Sequence, residues 1–205
     1  MKTLARAAAL ALPLALSLAL GGCISLFPKT SPVQMYRFGE QVPAPAAASA
    51  AARPLVLKGP ISFAPASSGD RILTTTGSEN AYIGGARWVA PAATLFDAAL
   101  LRAFDAPGAP RLVERGEPLA APSILRLDVR TFEARYPGPT ASVQVRAVLI
   151  RNQDRALIAE KMFDVQVPAG DNRQGAIAAA FDQAVGQVLA GVRDWTTANA
   201  PSALK

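Results

Sequence analysis

The sequence predicts an α/β two-layer sandwich: a mainly antiparallel sheet with two amphipathic helices packed on one of its faces. Three observations carry this. Apolar and polar residues alternate through much of 123–168, stretches at 91–105 and 171–196 are apolar at helical steps, and the elements run strands, helix, strands, helix. Each helix has one apolar stripe to bury, and the apolar face of a sheet is the surface that can bury it.

The first 22 residues stand outside that fold. Lys2 and Arg6 form a positive end, the fourteen residues from Ala7 to Leu20 are almost all apolar with Pro13 among them, and Gly21, Gly22 and Cys23 follow. A helix crossing a ~30 Å hydrocarbon core takes about twenty residues, so this order reads as a signal peptide. Small residues before the cysteine let an extended backbone enter a peptidase cleft, and the Cys23 thiol can accept a diacylglycerol by thioether formation. Leu20-Gly21-Gly22-Cys23 thus resembles the lipobox of bacterial lipoproteins. The resemblance implies cleavage before Cys23 and a mature end carrying diacylglycerol and an N-acyl chain; at ~0.8 kcal/mol per buried methylene, such acylation anchors a protein durably. The alternative is an ordinary cleavage site beside a stray cysteine. An unpaired thiol in an oxidising compartment counts against it.

Composition then narrows the chemistry. Lys2 and Arg6 are lost with the signal, so 19 of the 21 basic residues remain against 15 acidic ones and the mature chain is only mildly basic. A basic surplus suits anionic headgroups or an acidic partner, and equally an ordinary solvated surface. With no dense Lys/Arg stripe interleaved with aromatics, nucleic acid is not an expected partner. The chain has no histidine and one cysteine. Ser-His-Asp triads, Cys-His pairs and the usual His/Cys zinc sites are therefore closed to it. Carboxylate chemistry needs a convergent pair of acids. The acidic residues here are scattered and sit beside arginines, as in Glu114-Arg115, Arg126-Leu127-Asp128 and Glu133-Ala134-Arg135, which reads as charge pairing.

Residues 23–33, with Pro28 and Pro32, form the expected lipidated tether, 34–200 a single domain and 201–205 a tail. "QMYRF" at 34–38 is a short first strand, and the Pro/Ala-rich 42–54 is a loop because its alanines offer no amphipathic face. Early strands follow at 55–64, 71–76 and 81–90, each bounded by Gly, Pro, Ser or Asn. Leu95, Phe96, Ala99, Leu100, Ala103 and Phe104 then keep one helical stripe apolar, with Pro91 in the first turn and a stop at Pro107-Gly108. A short strand lies near 111–115, followed by the clearest one, "SILRLDVRTF", where Leu125, Leu127 and Val129 oppose Arg126, Asp128 and Arg130. "YPGPT" turns the chain into "ASVQVRAVLI", and "RNQDR" turns it again into a strand with Phe163, Val165 and Val167 on one face. The last helix starts from Asp171 as N-cap and carries Ile177, Phe181, Ala184, Val185, Val188, Val192 and Trp195 on its stripe. The sheet face bearing Arg126, Arg130 and Arg146 is then open to water or a partner.

The lipobox, the early "MYRF", the segment "GGARWVAPAATLFDAALLRAFD" and the ending "AIAAAFDQAVGQVLAGVRDW" together resemble the ABC-type transport auxiliary lipoproteins, the lipoprotein component accompanying MCE-type lipid transporters and including the PqiC-like proteins. The resemblance implies a non-catalytic, periplasm-facing domain tethered to the outer membrane, whose partners are an MCE-domain protein, a permease and an ATPase, with a homo-oligomeric collar as one form of assembly. Ile24 in place of aspartate agrees with outer-membrane sorting in enterobacterial-type systems. The chain has no phosphate-binding lysine motif, since Gly84-Gly85 leads to Ala86-Arg87, so the energy source is another subunit. The alternative function is a stand-alone structural or assembly lipoprotein of the envelope. Arg126, Arg130, Arg146 and Trp88 are the candidate partner contacts, against the simpler readings of a solvated strand face and, for Trp88, a core residue at a helix boundary. No cofactor is expected beyond the lipid on Cys23.

Lipidation is directly testable, because serine supplies no thioether. Metabolic labelling with an alkyne fatty acid should mark the wild type and spare Cys23→Ser; equal labelling of the two would refute it.

Overall fold

A computed structural model describes residues 32–40 and 53–201; the signal peptide, Cys23, the tether up to residue 31, residues 41–52 of the Pro/Ala-rich region and residues 202–205 lie outside the described residues. Among the described residues the strands are β1 (Gln34–Tyr36), β2 (Leu55–Phe63), β3 (Arg71–Thr76), β4 (Glu79–Trp88), β5 (Arg111–Val113), β6 (Ser123–Tyr136), β7 (Thr140–Arg151) and β8 (Leu157–Pro168), with helices α1 (Ala92–Phe104) and α2 (Gln174–Asn199).

The alternation in β6 does what its sequence dictates until Val129. Leu125, Leu127 and Val129 are buried and Arg126 is exposed. Beyond that point strict alternation would send Phe132 and Ala134 to the charged face. Instead the register with β7 slips between Val129 and Thr131, leaving Arg130 as an extra residue. That bulge returns Phe132 and Ala134 to the core, where they are 2% and 0% exposed.

β6 also sets the topology. β7 runs antiparallel along one side of it and β8 along β7. The other side is shared: β2 lies parallel to Ser123–Val129, and β3 parallel to Ala134–Tyr136. The chain thus passes along one edge of β6 twice in the same direction, interrupted by a 3₁₀ turn at Pro65–Ser67. From there the sheet forks, with β5 parallel on β2, β4 antiparallel on β3 and β1 parallel on β4. The longest ladders are antiparallel, as expected, but the short ones at β1, β2, β3 and β5 include four parallel pairings that local alternation does not encode.

Both helices cover the same face. Phe96, Ala99, Leu100 and Ala103 of α1 share a core with Ile177, Phe181, Val185 and Val188 of α2 and with Val143, Val145 and Leu149 of β7. Its centre is aromatic: Trp88 meets Phe38 at 4.9 Å and Phe181 at 5.3 Å, both edge-on, and Phe132 lies 4.9 Å from Phe181. Such pairs add about 0.5–1.5 kcal/mol beyond area burial. By length and composition α2 could span a membrane, but half of its most apolar window is buried inside the domain. Asp171 does not cap it. The helix begins at Gln174 after Arg173, and the Asp171 carboxylate accepts the Arg173 N–H at 2.8 Å, closing a turn before the helix. At the other end Thr196 is buried, donating to the Val192 carbonyl at 2.7 Å, while Trp195 is only partly buried and sits edge-on to Phe163.

The two helices and the N-terminal strand are stapled at one glycine. Asp182 of α2 accepts the N–H groups of Gly39 and Glu40 at 2.6 and 3.0 Å, and Arg102 of α1 donates to the Gly39 carbonyl. Gly39 has φ +86°, and a Cβ there would stand 2.5 Å from the Ala99 Cβ, so only glycine fits.

Phe181 joins helix, sheet and aromatic centre and is fully buried. Phe181→Ala should destabilise the domain by about 3–5 kcal/mol in urea unfolding followed by tryptophan fluorescence. A loss under about 1 kcal/mol would contradict this packing.

Candidate functional site

The pleat sends every second side chain of β6, β7 and β8 away from the helices, and on that open face the polar residues answer one another across the strands. Asp128 stands opposite Arg146 in the β6–β7 ladder, and Arg146 stands opposite Met162 in the β7–β8 ladder. Arg146 reaches diagonally to Glu160 and binds it with a fork, Nε and Nη2 each 2.7 Å from a carboxylate oxygen. Asp128 accepts from Ser62 at 2.9 Å and from Arg130 at 3.1 Å. Gln144 donates to Asp164 at 2.9 Å, and Thr75 to Glu133 at 3.0 Å.

The contacts of Asp128, Arg146 and Glu160 shift their affinities for the proton. The Ser62 hydroxyl, followed by the Arg130 guanidinium, holds Asp128 below the usual aspartate range against partial desolvation. Glu160 is lowered by its hydrogen bonds from Arg146, and Arg146 is raised in return. Exposed pairs of this kind contribute little to stability. Their consequence is electrostatic: the middle of the face carries both signs, locally cancelled.

The sequence-adjacent pairings do not all form. Glu133 and Arg135 pair at 2.9 Å. Glu114, however, is 3.2 Å from Lys58 and not with Arg115, and Lys58 also holds Asp97 at 2.7 Å. Burial opposes the Lys58 charge, but these two carboxylates outweigh it and raise its affinity for the proton. Asp128 serves Arg130, which leaves Arg126 without it.

Arg126 owes its setting to a second bulge, in β2. The β2–β6 register shifts between Lys58 and Ile61, so Gly59 and Pro60 bulge out beside Arg126. Proline donates nothing to a ladder and is tolerated at such a place. A Cβ on Gly59 would stand 2.6 Å from the Leu125 carbonyl oxygen and 2.9 Å from the Arg126 Cγ. The strand can approach the arginine stem this closely only at a glycine. Two adjoining hollows share Pro60 and Arg126: one of about 390 Å³ extending over Ser62, Asp128 and Arg146, and one of about 560 Å³ extending towards Arg115 and Arg155.

Of the four residues expected at a partner contact, Arg126, Arg130 and Arg146 share the open face, with Arg130 and Arg146 ion-paired. Trp88 is 1% exposed at the centre of the core on the opposite side, so a partner cannot touch it in this fold. Arg115 and Arg155 were not singled out in sequence. They lie in the β5–β6 and β7–β8 connections, each next to an acidic residue that takes another partner, Glu114 with Lys58 and Asp154 with Arg151. Among the described residues no three His, Cys, Asp or Glu side chains are grouped to share a metal ion.

A comparison with curated proteins finds no match. The fold is similar to the crystal structure of the protein XCC0632 from Xanthomonas campestris, with a TM-score of 0.69 and 27% identity over 82% of this chain and 96% of that one. It is also similar in fold to the hypothetical protein CT253 from Chlamydia trachomatis, with a TM-score of 0.50 and 8% identity over 72% of this chain and 98% of that one. A family model described as the ABC-type transport auxiliary lipoprotein component matches residues 36–192, from the end of β1 through the open face to the late turns of α2. The chain belongs to the ABC-type transport auxiliary lipoprotein family.

Proposed function

We propose that this protein is a non-catalytic auxiliary subunit of an MCE-type ABC transporter that moves lipids between the inner and outer membranes, held on the periplasmic face of the outer membrane by acyl chains on Cys23. The observation that carries the reading is the family match across nearly the whole domain, 36–192. The lipobox and the composition support its finer parts. With no histidine and its one cysteine at the lipidation site, the chain acts through contact, by positioning an MCE-domain protein or a second copy of itself, while the permease and ATPase supply the energy. The open face is the surface for that contact. Arg130 and Arg146 at its middle are paired with Asp128 and Glu160, so that part can meet a partner of mixed charge without burying a large unpaired charge.

Photocrosslinking residues introduced in cells at Arg130, Arg146 and Met162 should capture the MCE subunit or a second copy of this chain. Loss of acylation should weaken the capture, because anchoring confines the domain near its partner. Capture of unrelated envelope proteins alone, in a strain expressing the MCE subunit, would favour a stand-alone envelope lipoprotein.

A further inference from the structure

Nearly every cationic side chain among the described residues is engaged. Ten make ion pairs, Lys58 and Arg146 among them. Arg53 and Arg102 donate to backbone carbonyls, and Arg71 and Lys161 lie over the rings of Tyr82 and Phe163. The side chains with none of these partners among the described residues are Arg115, Arg126 and Arg155. They come from three separated parts of the chain, and all three line the same cavity of about 560 Å³.

We propose that this cavity binds the phosphate of a glycerophospholipid headgroup, with Arg115, Arg126 and Arg155 as its cationic contacts. Three arginines line one hollow, and no carboxylate among the described residues lines it to offset their charge. A bound anion balances that charge, and a phosphate offers several oxygens to forked donors at once. Asp128, on the neighbouring hollow, is taken up by Ser62 and Arg130. The remaining wall is apolar, with Leu57, Pro60, Ile124 and Ile150. That wall distinguishes a lipid from a soluble phosphate ester, because the glycerol and first methylenes of a lipid have apolar surface to lie on. The Gly59 bulge passes close to the Arg126 stem, which narrows the positions open to one of the three contacts. The volume is ordinary for a small-molecule site, about 300–1,000 Å³, and suits a headgroup and not whole acyl chains.

This deepens the transport reading by giving the chain itself a lipid ligand. Its test uses the purified protein alone, so failure here is separable from failure of the crosslinking. Native mass spectrometry of the mature lipoprotein in maltoside detergent would titrate dioleoylphosphatidylglycerol, with dioleoylglycerol and glycerol 1-phosphate as the arms lacking phosphate or lipid. The phospholipid should bind best. Arg126→Gln and Arg155→Gln, which keep most of the stem, should each weaken it by about tenfold, the loss of a charge-assisted hydrogen bond. Arg37→Gln, removing an equal charge from an ion-paired exposed site, should leave it unchanged. Binding of dioleoylglycerol or glycerol 1-phosphate as tight as that of the phospholipid, or equal weakening by Arg37→Gln, would overturn the proposal.

Discussion

β6 is the constraint on which the other elements depend. It is flanked by β7 on one side and, on the other, by β2 over Ser123–Val129 and by β3 over Ala134–Tyr136. A strand in that position cannot slide, since a slip of one residue would exchange its buried and charged faces against every neighbour at once. The two bulges beside it answer this constraint. The one at Arg130 corrects the phase of β6 itself, and the one at Gly59-Pro60 fits β2 against it. Each also lies beside an arginine of the outer face, Arg130 at one and Arg126 at the other.

The charge distribution follows from that geometry. Over β7 and β8 the pairings are between strands: Arg146 with Glu160 cancels charge, and Gln144 gives Asp164 a neutral hydrogen bond. Towards the start of β6 the carboxylates are drawn elsewhere: Glu114 to the partly buried Lys58, Asp154 to Arg151, and Asp128 to Ser62 and Arg130. Arg115, Arg126 and Arg155 at that end, unpaired among the described residues, are what this competition for acids leaves over, and they gather without any dense run of basic residues in the sequence.

What the sequence revealed and what it concealed divide along physical lines. Periodicity is local, so α1, α2 and the β6–β7–β8 meander were legible, with their inward residues, within a few positions. Ladder direction between distant segments is not local, and the parallel pairings of β2 and β3 with one edge of β6 had no signature in either segment. The Asp171 cap was misplaced because an aspartate serves a preceding turn as readily as a helix. On the open face, Arg126, Arg130 and Arg146 were placed by alternation alone. Their partners were not, because neighbours in sequence along a strand compete with neighbours across it. Arg115 and Arg155 were invisible for a related reason: loops carry no period, and only the fold brings them to one hollow. The glycine and proline inside β2 were the one sequence mark of that place.

The staple at Gly39 has a mechanical consequence. β1 touches the sheet through three residue pairs on β4, a short edge ladder that tension could peel away one bond at a time. Immediately after it the backbone is gripped by α1 and α2 together, through Arg102 and Asp182. A domain held by its N-terminal end therefore passes load beyond the edge strand to both core helices, so peeling β1 does not by itself free the chain from the core.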